Sequence, residues 1–148
     1  MLKDNYDIFE YIGVKVTEVG FETMNDSILK KYNKPSSEAL VEDCVKLCNE
    51  RKTIKLILNV VVGFEEETEE TYTKTNSYII DNLNDNIIGI NPAIYTDYSL
   101  LDECLGEIDF YPTPKVELHK KYWKIINTEA TDILNTKSSE HNNLTESM

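Results

Sequence analysis

The sequence predicts an α/β protein built on parallel strands. Three observations point there. Ile54–Val62 is an almost unbroken apolar run rich in β-branched residues, the pattern of a strand buried on both faces. Strand-like and helix-like segments alternate along the chain, with crossovers long enough to lay successive strands side by side in one direction. Each strand-like segment ends in a polar or Gly-containing turn, the place where ligands bind in α/β folds.

The elements follow in order. Leu2–Ile12 carries Tyr6, Phe9 and Ile12 on one side and reads as a short helix that Gly13 breaks. Val14–Phe21 alternates as a strand does and closes at Gly20-Phe21-Glu22-Thr23. Asn25 is placed to cap a short helix running to Lys31. Pro35 biases Lys34 away from helix, and Ser36 is placed to cap the next one. That helix, Glu38–Arg51, carries one apolar stripe: Leu40, Val41, Cys44, Val45, Leu47 and Cys48. After the strand Ile54–Val62, the run stops at Gly63. An acidic stretch from Glu65 to Glu70 follows, in which Thr68 is placed to cap a helix from about Glu69 to Leu83. Carboxylates in a first turn favour the positive end of the helix dipole.

Ile87–Ile90 reads as a third strand, ended by Asn91-Pro92. Leu100–Leu105 is a candidate short helix, and Ile108–Pro114 is extended because of Pro112 and Pro114. Lys115–Leu134 reads as a helix carrying Trp123, Ile126, Ile133 and Leu134. Residues 1–134 form the expected domain. Residues 135–148 are polar and aperiodic, and are expected to be a disordered tail. The three strand ends predict a ligand-facing edge from Glu22–Thr23, Gly63–Glu67 and Asn91–Tyr95.

Composition narrows the function classes. With 148 residues the chain is long enough for one domain with a real core. It has 27 acidic against 15 basic residues, a formal net charge of −12. No Lys/Arg cluster offers the basic face that nucleic acid or an anionic membrane would need. There is no transmembrane-length apolar run and no signal peptide, so a cytoplasmic location is expected. Three cysteines, Cys44, Cys48 and Cys104, are too few and odd in number for a disulfide framework.

Several segments together resemble the radical S-adenosylmethionine enzymes: Gly20-Phe21-Glu22-Thr23, Ile28-Leu29, Asn33-Lys34, Asn59-Val60-Val61-Val62-Gly63-Phe64 and Glu67-Thr68-Glu69-Glu70. The resemblance covers roughly residues 14–95, from about the fourth strand of that family's partial (β/α) barrel to the sixth. It implies a TIM-like half-barrel that cradles S-adenosylmethionine. Glu22 would face the methionine amino group or ribose, and Asn59 and Gly63 would line the adenine and ribose side. Glu67 matches the Glu of the family's Gly-x-Pro-Gly-Glu-Thr turn. Lys34 matches a basic position after the short helix.

Two departures qualify the resemblance. Phe64-Glu65-Glu66 stands where the family has an apolar residue, Pro and Gly. The Cys-x-x-x-Cys-x-x-Cys motif that holds the family's [4Fe–4S] cluster is missing. Cys44 and Cys48 have its first spacing, but they lie mid-helix and Arg51 occupies the third position. Three thiolates are needed to hold such a cluster. The expectation is therefore a fragment or truncated form, needing a cluster-bearing chain or the missing N-terminal half for activity. Its unpaired edge strand is expected to promote association. The alternative is a non-catalytic α/β module that binds a nucleotide-like ligand or a protein. Plainer roles compete for the same residues. Cys44 and Cys48 fit a buried stripe, Glu65–Glu70 a solvated helix start, and Glu22 a strand-end carboxylate paired with a lysine. His119 and His141 have no spacing that makes a zinc site with the cysteines, and Trp123 fits a packing anchor.

Overall fold

A computed structural model of the chain describes residues 2–95 and 113–146. Leu2–Tyr11 forms α1, Val16–Glu22 β1, Asp26–Lys31 α2, Glu38–Arg51 α3, Lys55–Val62 β2, Glu69–Asn82 α4, Ile87–Ile94 β3 and Val116–Glu146 α5. The candidate helix over Leu100–Leu105 lies outside the described residues, as does most of the extended stretch before Pro114.

The three strands form an open sheet in the order β1-β2-β3, and both pairings are parallel. This confirms the α/β class with a parallel sheet. Burial alternates along β2. Leu56, Leu58, Val60 and Val62 are fully buried, whereas Ile57, Asn59 and Val61 are half-buried. The apolar run is thus packed on one face and only partly covered on the other, unlike the two-sided burial its composition predicts. The packed face meets a core containing Val41, Val45 and Cys48 of α3, Tyr72 and Ile79 of α4, and Ile126 and Ala130 of α5.

The helix starts are chemically specified. Asn25 accepts a hydrogen bond from the Ile28 amide at 3.1 Å. Ser37, one residue beyond the predicted Ser36, caps α3 by accepting from the Leu40 amide. Asp26 and Glu38 each accept from the other's backbone amide, which ties the starts of α2 and α3 together. Thr68 caps α4 in a reciprocal box with Thr71, a hydroxyl doing the work usual for Glu or Gln. Lys52, left-handed at φ 63°, closes α3.

Two boundaries differ from the sequence reading. β3 does not stop at Asn91-Pro92 but continues to Ile94, with Pro92 in register beside Val60. Among the described strands β3 is an edge, where the missing Pro amide can face away from the ladder. α5 runs on to Glu146, across most of the stretch expected to be a disordered tail. That stretch contains neither Gly nor Pro. It therefore extends a helix already nucleated by its packed first half, and propagation is far easier than nucleation. Leu118, Trp123, Ile133 and Leu134 pack against the core from this helix, so Trp123 is an anchor as expected.

Leu58 is fully buried near the middle of β2, the central strand of the three. Leu58→Ala should lower unfolding free energy by about 2–5 kcal/mol, measured by urea denaturation. Ile57→Ala, one residue away on the half-buried face, should cost less.

Candidate functional site

The carboxyl ends of the three strands converge on one edge, and its most unusual residue is Glu22. The register slips between Gly20 and Glu22, and Glu22 takes a left-handed backbone at φ 64°. Such a conformation in a residue with a side chain costs about 1–3 kcal/mol and tends to mark functional positions. The slip turns the Glu22 carboxylate back over Gly20. A Cβ on Gly20 would lie 3.4 Å from Glu22 Oε1. Lys34 Nζ stands 3.1 Å from Glu22 Oε2, and the two side chains are only 29 % and 18 % exposed. The plainer expectation for Glu22, pairing with a lysine, is therefore met, and by the Lys34 already singled out.

Gly20 is in register with Asn59, and Asn59 with Asn91, so a row crosses all three strands on the half-buried face. The Asn59 amide nitrogen donates to Glu18 at 3.2 Å. Its carbonyl oxygen is buried and has no hydrogen-bond partner among the described residues. Above the row, Tyr32, Phe64 and Tyr95 form an aromatic trio with ring centroids 4.6–5.1 Å apart. Lys34 Nζ lies 6.0 Å from the Phe64 ring. Burial, followed by the Glu66 carboxylate, pushes the Tyr32 hydroxyl up to about 12. Tyr32 thus stays a neutral donor.

Gly63 ends β2 with φ 121°, a region closed to side-chain-bearing residues. Its amide donates to the Tyr72 hydroxyl at 3.0 Å. That hydroxyl also meets His119 Nδ1 at 2.7 Å. With the Gly63 proton accepted, the Tyr72 proton is available for Nδ1, which favours the tautomer protonated at Nε2. Both side chains are buried. Burial, followed by the Lys115 ammonium, pushes the imidazole down, while Glu65 pulls it weakly up.

Glu67 stands apart from the other four predicted site residues. It is fully buried and accepts a hydrogen bond from the Thr71 hydroxyl. Burial pushes its carboxyl up, opposed by Thr71, Thr23 and Lys115. Lys115 also donates to the backbone carbonyls of Glu65 and Glu67, strapping this turn to the start of α5. Glu67 therefore shapes the turn from below and does not present a carboxylate at the edge. The remaining acids behave as a solvated helix start. Glu66 pairs with Lys31 and Glu69 with Lys121.

The edge thus brings together Glu22, Lys34, Gly63 and, through Gly20, Asn59. Sequence reasoning missed the aromatic trio and the Tyr72–His119 pair. His119 does fall on the inward stripe of α5 with Tyr122, Ile126 and Ala130, and helical spacing alone could have flagged it.

The described residues do not fit a [4Fe–4S] cluster. Cys44 and Cys48 are buried on the core side of α3, and burial pushes the Cys48 thiol up to about 11, away from the thiolate form. Among the described residues no group of three or more His, Cys, Asp or Glu could hold a metal ion. No helix among them is long and apolar enough to cross a membrane. No known protein family matches the chain, and no curated protein matches it either.

Two outcomes test the network under this edge. Tyr72→Phe removes a partner of the buried His119 imidazole and of the half-buried Gly63 amide, and should cost about 1–3 kcal/mol of stability by chemical denaturation. The second concerns pH. Unfolded histidine takes up its proton near pH 6.5, whereas folded His119 does so only at lower pH. Its contribution is thus present above about pH 6.5 and lost as pH falls through the folded value. The denaturation midpoint should fall between pH 7.5 and about 5.5, and His119→Gln should flatten that fall. A wild-type midpoint that does not change over this range would contradict it.

Proposed function

We propose that the chain is a half-barrel of the (β/α) type whose carboxyl edge binds S-adenosylmethionine, or a closely similar nucleoside bearing an amino-acid head. The Glu22–Lys34 pair carries this reading. The pair offers a carboxylate and an ammonium side by side, half-sheltered from water, at the end of a strand. A zwitterionic head group can exchange with it, its ammonium going to Glu22 and its carboxylate to Lys34, so that no charge is left unpaired. The Asn59 carbonyl, buried without a partner, is an acceptor for a ribose hydroxyl or an adenine amino group. Tyr32 and Tyr95, half-buried and packed on the fully buried Phe64, offer ring faces to a flat base or a sulfonium cation. Glu67 does not contact the ligand in this reading, because it is fully buried.

In the family the chain resembles, a [4Fe–4S] cluster supplies the electron that cleaves S-adenosylmethionine. The described residues do not fit that cluster, so radical chemistry would belong to an assembly with a second, cluster-bearing chain. The same misfit favours a second reading, a non-catalytic α/β module that binds a nucleotide-like ligand or a protein partner.

Isothermal titration of the full chain with S-adenosylmethionine tests the proposal. Saturable binding is expected, weakened about 10- to 100-fold by Glu22→Ala or Lys34→Ala through loss of a charge-assisted hydrogen bond. A wild-type chain that melts cooperatively yet binds nothing overturns the proposal in favour of the non-catalytic module. So would binding that neither substitution weakens.

A further inference from the structure

The chain that follows Glu22 is held from the helix layer by a run of buried hydroxyls. Glu22 has a left-handed backbone, and Thr23 and Met24 come directly after it. The Met24 amide donates to the Thr75 hydroxyl of α4 at 3.0 Å. The Thr75 and Thr23 hydroxyls lie 3.2 Å apart. Thr23, Met24 and Thr75 are all buried. A threonine hydroxyl carries one proton and two acceptor sites. Thr75 receives the Met24 proton, so its own proton is available to Thr23, and the Thr23 proton is available to a third group. That group is Glu67. Its side chain is fully buried, and the Thr71 hydroxyl donates to Oε2. Oε1 is buried and makes no full hydrogen bond among the described residues, while the Thr23 hydroxyl is near enough to favour the charged form of the carboxylate. An ionised carboxylate only accepts. It therefore fixes one order of donation, from Met24 to Thr75 to Thr23 to Glu67. Bonds aligned head to tail in a buried site strengthen one another.

We propose that Glu67 is a positioning residue: its ionised carboxylate orients the Thr23–Thr75 relay, and the relay holds the end of β1 in the shape that presents Glu22. A proton reverses the relay. It enters at Oε1, the oxygen without a full hydrogen bond, and makes that atom a donor toward Thr23. The Thr23 proton then turns to Thr75. Thr75 already accepts from Met24, and its own proton has no other acceptor among its described contacts. The hold on Met24, and through it on Glu22, is loosened. Several groups decide when this happens. Burial acts most strongly on Glu67 and favours the neutral form, so the carboxyl takes its proton above the usual carboxylate range. Thr71, Thr23 and the Lys115 ammonium ahead of α5 favour the charge, and Glu66 in the same turn opposes it. Tyr72 of α4 also faces the site: burial, followed by the Glu67 charge, pushes its hydroxyl up. The relay is built from the chain's own residues and is the same whatever the edge binds.

Amide NMR of the full chain, followed from neutral to acid pH, tests it without any ligand. The Met24 and Glu22 amide resonances should titrate together, with a midpoint above the usual carboxylate range. Glu67→Gln should abolish that titration, whereas His119→Gln should leave it in place. At neutral pH, hydrogen exchange at the Met24 amide should quicken about 10-fold in Glu67→Gln and in Thr23→Val, the net worth of one hydrogen bond. Thr23→Ser, which keeps the hydroxyl and loses the methyl, should restore the wild-type rate. If Glu67→Gln impairs folding, the wild-type titration and the Thr23→Val and Thr23→Ser pair give the same readout. Met24 and Glu22 amides that do not titrate in the wild type would overturn the proposal. So would a titration that persists in Glu67→Gln, or a Thr23→Ser chain that exchanges as fast as Thr23→Val, which would leave Thr23 a packing residue only.

Discussion

The Tyr72 hydroxyl ties together three pieces of chain: the end of β2, α4 and α5. It accepts the amide of Gly63, where β2 turns away from the sheet, and it meets His119 on α5. Its own backbone belongs to α4. The ring stacks on Tyr122 of α5 at 4.7 Å, and the Tyr122 hydroxyl reaches Thr73 and Glu69 on α4. Lys115 adds a strap from α5 to the turn after Gly63. A half-buried amide at φ 121° has few partners within reach, and Tyr72 supplies one. The turn that shapes the site is therefore fixed from underneath, by the helix layer, rather than by the site's own surface residues.

That arrangement divides labour between the two faces of the sheet. The face under the helices is apolar and closely packed, and it supplies the hydrophobic stabilisation of the fold. The other face carries Glu18, Asn59 and Asn91 with little apolar cover. Residues on it are free to be polar, and the left-handed backbone of Glu22 is tolerated there because the packed face holds the strand in place. Burial decides the roles of two nearby glutamates in the same way. Glu67 serves the turn, whereas Glu22 faces the edge with a counter-charge beside it.

The helices were largely legible in the sequence because their signals are local. α3 follows from its stripe and α4 from Thr68, and both lie within a residue of where spacing puts them. Parallel pairing followed from the long crossovers. What sequence reasoning misjudged depends on tertiary position. Pro92 reads as a strand terminator, and only an edge strand can accommodate it. Val61 and Ile57 read as buried, and only the one-sided helix layer leaves them half-covered. The Tyr72–His119 bond joins residues 47 apart, with no motif between them. Four of the five predicted site residues share the edge or its row. The fifth, Glu67, was chosen by turn pattern alone, which cannot distinguish a carboxylate pointing out from one folded inward.

The length of α5 has a mechanical consequence. Its 31 residues span about 46 Å at 1.5 Å per residue, whereas the eight residues of β2 cover about 26 Å. Among the described side chains, those of this helix pack against the core from Leu118 to Leu134, and His119 and Tyr122 near its start bind α4 while Lys115 just before it holds the turn after Gly63. One continuous helix thus joins the strand edge to the core, so a substitution in that turn is felt in the packing of the fold as well as at its surface.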